Sequence, residues 1–123
     1  MTEYMIVVKT GDIKNAGTDA NVFITLYGQN GDSGQRALNG KFERGMEESF
    51  KIENMDLGEL YCINIRHDNS GKKPGWFLEY ITISDRWTFP CHRWLATDED
   101  DMRISRGLAE NRFYRSDATT SIP

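Results

Sequence analysis

The chain has 123 residues and a mass of 14.2 kDa, the length of one ordinary domain and too little for two. Six Phe, five Tyr and three Trp suffice to seed a core, which excludes a disordered tail, and the longest apolar stretch, Met5-Ile6-Val7-Val8, falls far short of the roughly 18 residues of a membrane-spanning helix. With 19 acidic and 15 basic residues the net charge is −4, which argues against nucleic acid as a main partner and against purely electrostatic docking on anionic lipid.

The dominant period is two rather than 3.6, so the chain reads as short strands divided by turns. Residues 4–10 are rich in β-formers. Residues 21–27 put Val22, Ile24 and Leu26 on one face. Asn30-Gly31-Asp32-Ser33-Gly34 and Asn39-Gly40 read as turns. Residues 49–53 alternate, with Phe50 and Ile52 inward. Residues 60–66 set Tyr61, Ile63 and Ile65 against Cys62, Asn64 and Arg66. Residues 77–84 are β-branched and aromatic. Two further runs, 86–91 and 93–96, follow, and Pro90 marks an edge or a bend. A last short strand takes Met102, Ile104 and Leu108. About eight strands of this kind predict an all-β fold, an antiparallel β-sandwich or barrel. It occupies one domain over 1–110, with the polar stretch 111–123 as a tail or the start of a linker. The first residues, Met1-Thr2-Glu3, have no basic start, no apolar stretch precedes a small-residue cleavage site, and no N-x-S/T sequon occurs; the expected setting is cytoplasmic.

No motif for enzymatic chemistry is present: no G-x-S-x-G, no phosphate-cradling glycine loop and no H-E-x-x-H. His67-Asp68 and Cys91-His92 are the sequence pairs that suggest a dyad, but neighbours on a strand point to opposite faces. Both histidines read as partly exposed strand-end residues. Cys62 and Cys91 have neither CxxC nor zinc-ligand spacing and read as free thiols. The acidic run 98–101 fails as an EF-hand, because Arg103 and Ala109 stand where that loop needs Gly and Glu, and it reads as a solvated loop. Oxygen-bearing side chains recur in separate turns, at Asn15, Asp19, Asn39, Glu43, Asp68 and Asn69. Sandwich loops gather at the two ends of the fold, so such groups can converge on one calcium ion, which accepts oxygens in loose geometry. Turn chemistry is the plainer account of the same residues.

Several stretches together resemble one family. They include Ala16-Gly17-Thr18-Asp19-Ala20-Asn21-Val22, Phe42-Glu43-Arg44-Gly45, Arg66-His67-Asp68-Asn69-Ser70-Gly71, Pro74-Gly75-Trp76-Phe77-Leu78, and Phe89-Pro90-Cys91 with Arg93-Trp94-Leu95. In order and spacing they are similar to the PLAT domain, also called the lipoxygenase homology domain, from Tyr4 to Leu108. The likeness is strongest to the polycystin and tandem-PLAT branch. The resemblance implies a sandwich of two four-stranded antiparallel sheets with no catalysis of its own. It also implies a role in bringing itself or an attached domain to membrane lipid headgroups, often with calcium in the end loops. Alternatives are a protein-interaction module, or the regulatory amino-terminal part of a larger lipid-acting enzyme such as a lipoxygenase.

The family's calcium positions carry over unevenly. Asn15, Gly17 and Asp19 fall in the loop before the second strand, where Asn15 is neutral and Ala20 replaces an acid of the family pattern. Gly40-Lys41 stands where Asn-Asp is common, so a cation replaces an anion. Gly75 replaces an acid beside Trp76, and Asp68 and Asn69 compensate from the preceding turn. The implied ligand set is therefore Asn15, Gly17, Asp19, Asn39, Glu43, Asp68 and Asn69, for weak calcium binding or a single site. Lys72, Lys73 and Trp76 form the lipid-contacting set. The two lysines contribute about 2 kcal/mol at an anionic surface, too little alone for stable docking. Trp76, Trp87 and Trp94 suit apolar insertion by type, with core packing as the alternative.

Overall fold

The computed structural model describes residues 1–111. Nine strands follow in chain order: β1 Thr2–Thr10, β2 Val22–Gly28, β3 Gly31–Asp32, β4 Arg36–Leu38, β5 Glu47–Asn54, β6 Leu60–His67, β7 Trp76–Ile83, β8 Trp87–Leu95 and β9 Ser105–Ala109. All pairings are antiparallel. One sheet runs β5-β1-β7-β8; the other runs β3-β2-β6-β9, with β4 also paired to β2. The expected two-layer sandwich is present, and the fourth place of its second sheet is divided between two short strands.

Period-two patterning builds the core directly. Tyr4, Ile6 and Val8 of β1 face Val22, Ile24 and Leu26 of β2 and Ile63 and Ile65 of β6 across the sandwich, with Leu78, Ile81, Ile83 and Phe89 beside them. Polar groups that enter are bonded. The Tyr4 hydroxyl accepts the Leu57 N–H at 2.9 Å, and the Trp76 indole N–H donates to Thr10 Oγ1 at 3.0 Å.

Several local expectations are corrected. The stretch read as turn over 30–34 contains β3, because Ser33 carries the ladder past the break. Its hydroxyl accepts the Leu26 N–H and its own N–H donates to the Leu26 carbonyl, both at 2.9 Å. Tyr61 is 57% exposed and Leu60 faces the core instead, because the β2–β6 register shifts between Tyr27 and Gly28. The runs 86–91 and 93–96 are one strand, with His92 at φ +53°. Pro90 lies on the edge strand, opposite a register shift between Leu78 and Tyr80. Met102 is exposed at φ +62°, outside β9, whose inward residues are Arg106 and Leu108.

His67 is completely buried rather than partly exposed. Nε2 lies 2.7 Å from the Leu95 carbonyl, and Nδ1 accepts the Asn69 N–H at 3.0 Å. A carbonyl can only accept and an amide can only donate, so this geometry fixes the neutral Nε2–H tautomer. Burial pushes its pKa down, in the same sense. Both cysteines are free, as expected. The expected tail lies outside the described residues beyond Asn111, whose N–H donates to the Thr88 carbonyl at 2.8 Å.

Antiparallel pairing sorts the connections to two ends. Loops 11–21, 39–46, 68–75 and 96–104 meet at one end, termed the rim. Loops 29–30, 55–59 and 84–86 lie at the other, termed the base.

Candidate functional site at the rim

Backbone hydrogen bonds lace the rim loops together. The Thr18 N–H donates to the Phe42 carbonyl, the Asp19 N–H to the Lys73 carbonyl and the Asp68 N–H to the Asn21 carbonyl, each at 3.1 Å. The Thr18 hydroxyl donates to the Pro74 carbonyl at 2.6 Å. Two glycines allow this close approach. A Cβ on Gly17 would sit 2.8 Å from the Phe42 carbonyl oxygen, and Gly71 holds φ +83° with Asp19 against it. Glu48 of β5 clamps the 39–46 loop: its carboxylate accepts the Lys41 and Phe42 N–H groups, each at 2.8 Å. Phe42 is thereby held at φ +48°, uncommon for a bulky residue, and packs between Phe50 and Trp76.

The lacing brings part of the expected ligand set together. Asn15, Gly17, Asp19 and Glu43 line one open cavity of about 250 Å³, and Lys41, Arg44 and Lys73 line the same cavity. Asn39 lines a neighbouring cavity instead, with Asn21 and Glu48. Asp68 and Asn69 line neither. Asp68 is occupied as a staple, with Oδ1 accepting from the Asn21 N–H and from the Ser70 N–H and hydroxyl, and Oδ2 from the Asn21 side-chain amide. The Ser70 hydroxyl, followed by the Asn21 amide, holds its carboxyl well below the usual carboxylate range. Asn69, at φ +59°, donates its N–H to His67.

The lipid-contacting set divides as well. Lys72 and Lys73 are exposed and line a third cavity, of about 300 Å³, with Asn15, Trp94, Asp98 and Glu99. Trp76 is fully buried, so it supports the rim from below and is not available to a lipid surface. Its ring fills the space under Phe42, as a thin sandwich requires of its largest side chains. The acidic run 98–101 is not uniformly solvated. Asp100 pairs with Arg93 at 2.7 Å and Asp101 with the buried Arg106 at 2.6 Å. Those guanidinium hydrogen bonds hold both carboxyls below their ordinary range. Arg106 also donates twice to the Trp94 carbonyl, at 2.8 and 3.2 Å, and so fixes the strand end that carries Trp94.

Sequence reasoning missed Glu48, Arg44 and Arg106. Arg106 had a signal, since it occupies an inward place two residues before Leu108 in the period-two pattern. The Glu48 clamp had none, because it depends on where the eight-residue loop 39–46 folds back against the strand that follows it.

The model of the "PLAT/LH2 domain" family matches residues 4–106. The chain belongs to the PLAT family. It is 48% identical to mouse (Mus musculus) Lipoxygenase homology domain-containing protein 1 over 99% of this chain and 6% of that protein. It is 37% identical to human (Homo sapiens) Polycystin-1 over 88% of this chain and 3% of that protein. The chain thus spans a small fraction of these relatives. Among solved structures, a coral 8R-lipoxygenase described as calcium-activated through a C2-like domain superposes with a TM-score of 0.77 at 29% identity. That match covers 89% of this chain and 17% of the lipoxygenase. A calcium-dependent 11R-lipoxygenase matches with a TM-score of 0.65 at 27% identity, over 89% of this chain and 17% of its own. A PLAT fold therefore occurs as a fraction of calcium-regulated lipoxygenases.

The residues of this PLAT domain do not assemble the whole of the expected calcium ligand set. Among the described residues, no three His, Cys, Asp or Glu side chains come together as a metal-holding group. The cavity that gathers Asn15, Gly17, Asp19 and Glu43 is also lined by Lys41, Lys73 and Arg44, and Arg44 is paired with Asp12 at 2.9 Å. Asp19 Oδ2 already accepts the Lys73 N–H at 3.1 Å.

Proposed function

We propose that this domain is a non-catalytic module that associates peripherally with membrane lipid headgroups through its rim, carrying with it whatever polypeptide it belongs to. The observation that carries this reading is the set of exposed ammonium groups at Lys41, Lys72 and Lys73. They sit on loops held rigid by the lacing of the rim, at an end of the sandwich formed only by connections. Rigid presentation matters because a lysine on a fixed loop loses less freedom on contact than one on a free chain. Membership of a family that also forms part of calcium-activated lipoxygenases supports the same reading.

Three lysines at an anionic surface contribute about 3 kcal/mol, on a chain of net charge −4. The contact is therefore brief and salt-sensitive, screened beyond about 8 Å at physiological ionic strength. The groups with reactive potential are otherwise engaged. Burial pushes the Cys91 thiol up to about 11, His67 uses both ring nitrogens, and His92 is bonded to Glu79.

Co-sedimentation with vesicles tests the proposal. The chain should pellet with vesicles containing phosphatidylglycerol and remain in solution with pure phosphatidylcholine, and added salt should release it. If it stays in solution with both, in calcium and in chelator alike, the module reads as a protein-interaction domain instead.

A further inference from the structure

β9 is the outermost strand of the second sheet, with β6 on one side and no strand on the other among the described residues. Its ladder fixes which main-chain groups face outward. The His67 N–H donates to the Ile104 carbonyl and the Glu110 N–H to the Tyr61 carbonyl, each at 3.1 Å, so residues 104 and 110 turn these groups toward β6. Main-chain direction alternates along a strand. Arg106 and Leu108 therefore also bond toward β6, while Ser105, Gly107 and Ala109 present N–H and C=O groups away from it. These three residues are exposed, and neither a proline, an outward charge nor a register shift interrupts the edge.

Gly107 has no positive φ, and a Cβ at its position would meet nothing within 4 Å. Neither backbone conformation nor crowding within the fold requires a glycine there, although glycine weakens a strand. The gap it leaves on the outer face suits a bulky side chain from a neighbouring strand. The surroundings are cationic. The rows of β2 and β6 that continue Ser105, Gly107 and Ala109 contain Arg66 and no carboxylate. Arg66 donates to the neutral Gln35 side chain at 3.0 Å and has no ion-pair partner among the described residues. Just before Ser105, the Arg103 side chain is 75% exposed and stands 3.9 Å from Asp101, a carboxylate already bonded to Arg106.

We propose that the free edge of β9 is a docking site for an extended, acidic segment of another protein, which adds to the second sheet as a further strand. The main-chain groups of Ser105, Gly107 and Ala109 bond it, a bulky side chain of the partner fills the gap over Gly107, and a partner carboxylate lies by Arg66 and Arg103. A second copy of this chain fits less well, because pairing about Gly107 would set glycine against glycine and leave the gap empty. The edge runs from the rim to the base along the flank of the sandwich, so it stays open when the rim meets lipid.

The probe is a capped seven-residue peptide of Thr and Val, with Phe at its centre and Glu two residues after it, titrated into the whole, isotope-labelled chain. The amide resonances of Ser105, Gly107 and Ala109 should shift, and their hydrogen exchange should slow. Gly107→Pro removes an N–H that faces away from β6, so the native ladder keeps its bonds while binding weakens about tenfold. Gly107→Val fills the gap with a strand-favouring side chain, so the melting temperature should hold or rise while binding again falls about tenfold. The same peptide N-methylated on the amides that face β9 should not bind. A peptide that shifts no β9 amide, that binds both variants as tightly as the native chain, or that is indifferent to loss of its Glu would overturn the proposal. So would slowed exchange at Ser105, Gly107 and Ala109 that grows with protein concentration in the absence of peptide, since a second copy would then hold the edge. Vesicle association is read separately, on rim lysines that neither substitution touches.

Discussion

Two corners of the same rim carry acidic residues of similar appearance in the sequence, and the fold uses them in opposite ways. At the Asp68 corner every carboxylate oxygen is bonded to the protein itself, joining the β6–β7 loop to the start of β2. At the Asp19–Glu43 corner, Lys41 from the Glu43 loop and Lys73 from the β6–β7 loop line the cavity, and the chemistry turns outward. Residue type in a turn thus does not separate a staple from a ligand. What separates them is whether donors from the same corner have already filled the lone pairs.

The largest way to break this contrast is to remove the support beneath both corners. Trp76→Ala should cost about 3–5 kcal/mol in chemical denaturation, since the ring is fully buried against Phe42 and bonded to Thr10. A loss near zero would mean that the ring is not part of the core. Next comes Glu48→Ala, which leaves the Lys41 and Phe42 amides without their acceptor and should cost about 1–3 kcal/mol. It should also weaken association with phosphatidylglycerol vesicles by loosening the loop that carries Lys41, whereas Asp68→Asn should leave that association unchanged. Equal effects of the two on vesicle association would erase the distinction between the corners.

Asp68 itself gives a smaller, pH-dependent effect. Its folded pKa lies below the unfolded value, so its contribution is complete above the ordinary carboxylate range near pH 4 and fades as pH falls through the folded value. The difference in melting temperature between the native chain and Asp68→Asn should therefore be greatest near neutral pH and shrink in acid. A difference independent of pH would show that the charge is not what matters. His67 acts in the same direction. It stays neutral when folded and takes a proton when unfolded, so stability should decline as pH drops below about 6.5. The smallest expected effect is that of calcium, which should leave the melting temperature of the native chain unchanged. Lys41→Asp, which reverses a charge in the cavity, should acquire a calcium-dependent rise. A rise of the same size in the native chain would show that the Lys41 charge does not oppose a cation at this corner.

The sandwich was legible because its core strands alternate: Val22, Ile24 and Leu26 face inward together, as do Ile63 and Ile65. Family resemblance supplied the sheet count and pointed to the rim. What could not be read were features that depend on register or on loop closure. One shifted pairing turned Tyr61 outward and Leu60 inward, and Ser33 replaced a backbone step with its hydroxyl. At the rim, the family resemblance implied that seven residues share an ion. Hydrogen bonding sorted them into a cavity wall, a neighbouring cavity and a staple, because each carboxylate answers to whichever donors the chain path delivers.

The margins of the first sheet have a consequence for life at high density. On β8, Pro90 presents no N–H and His92 departs from extended geometry. On β5, Glu47, Glu48, Lys51 and Glu53 put charge along the opposite border. Neither border offers a neighbouring copy an uninterrupted, uncharged ladder to extend. Many copies held side by side on a two-dimensional surface would thus stay separate bodies and would not fuse into a continuous sheet.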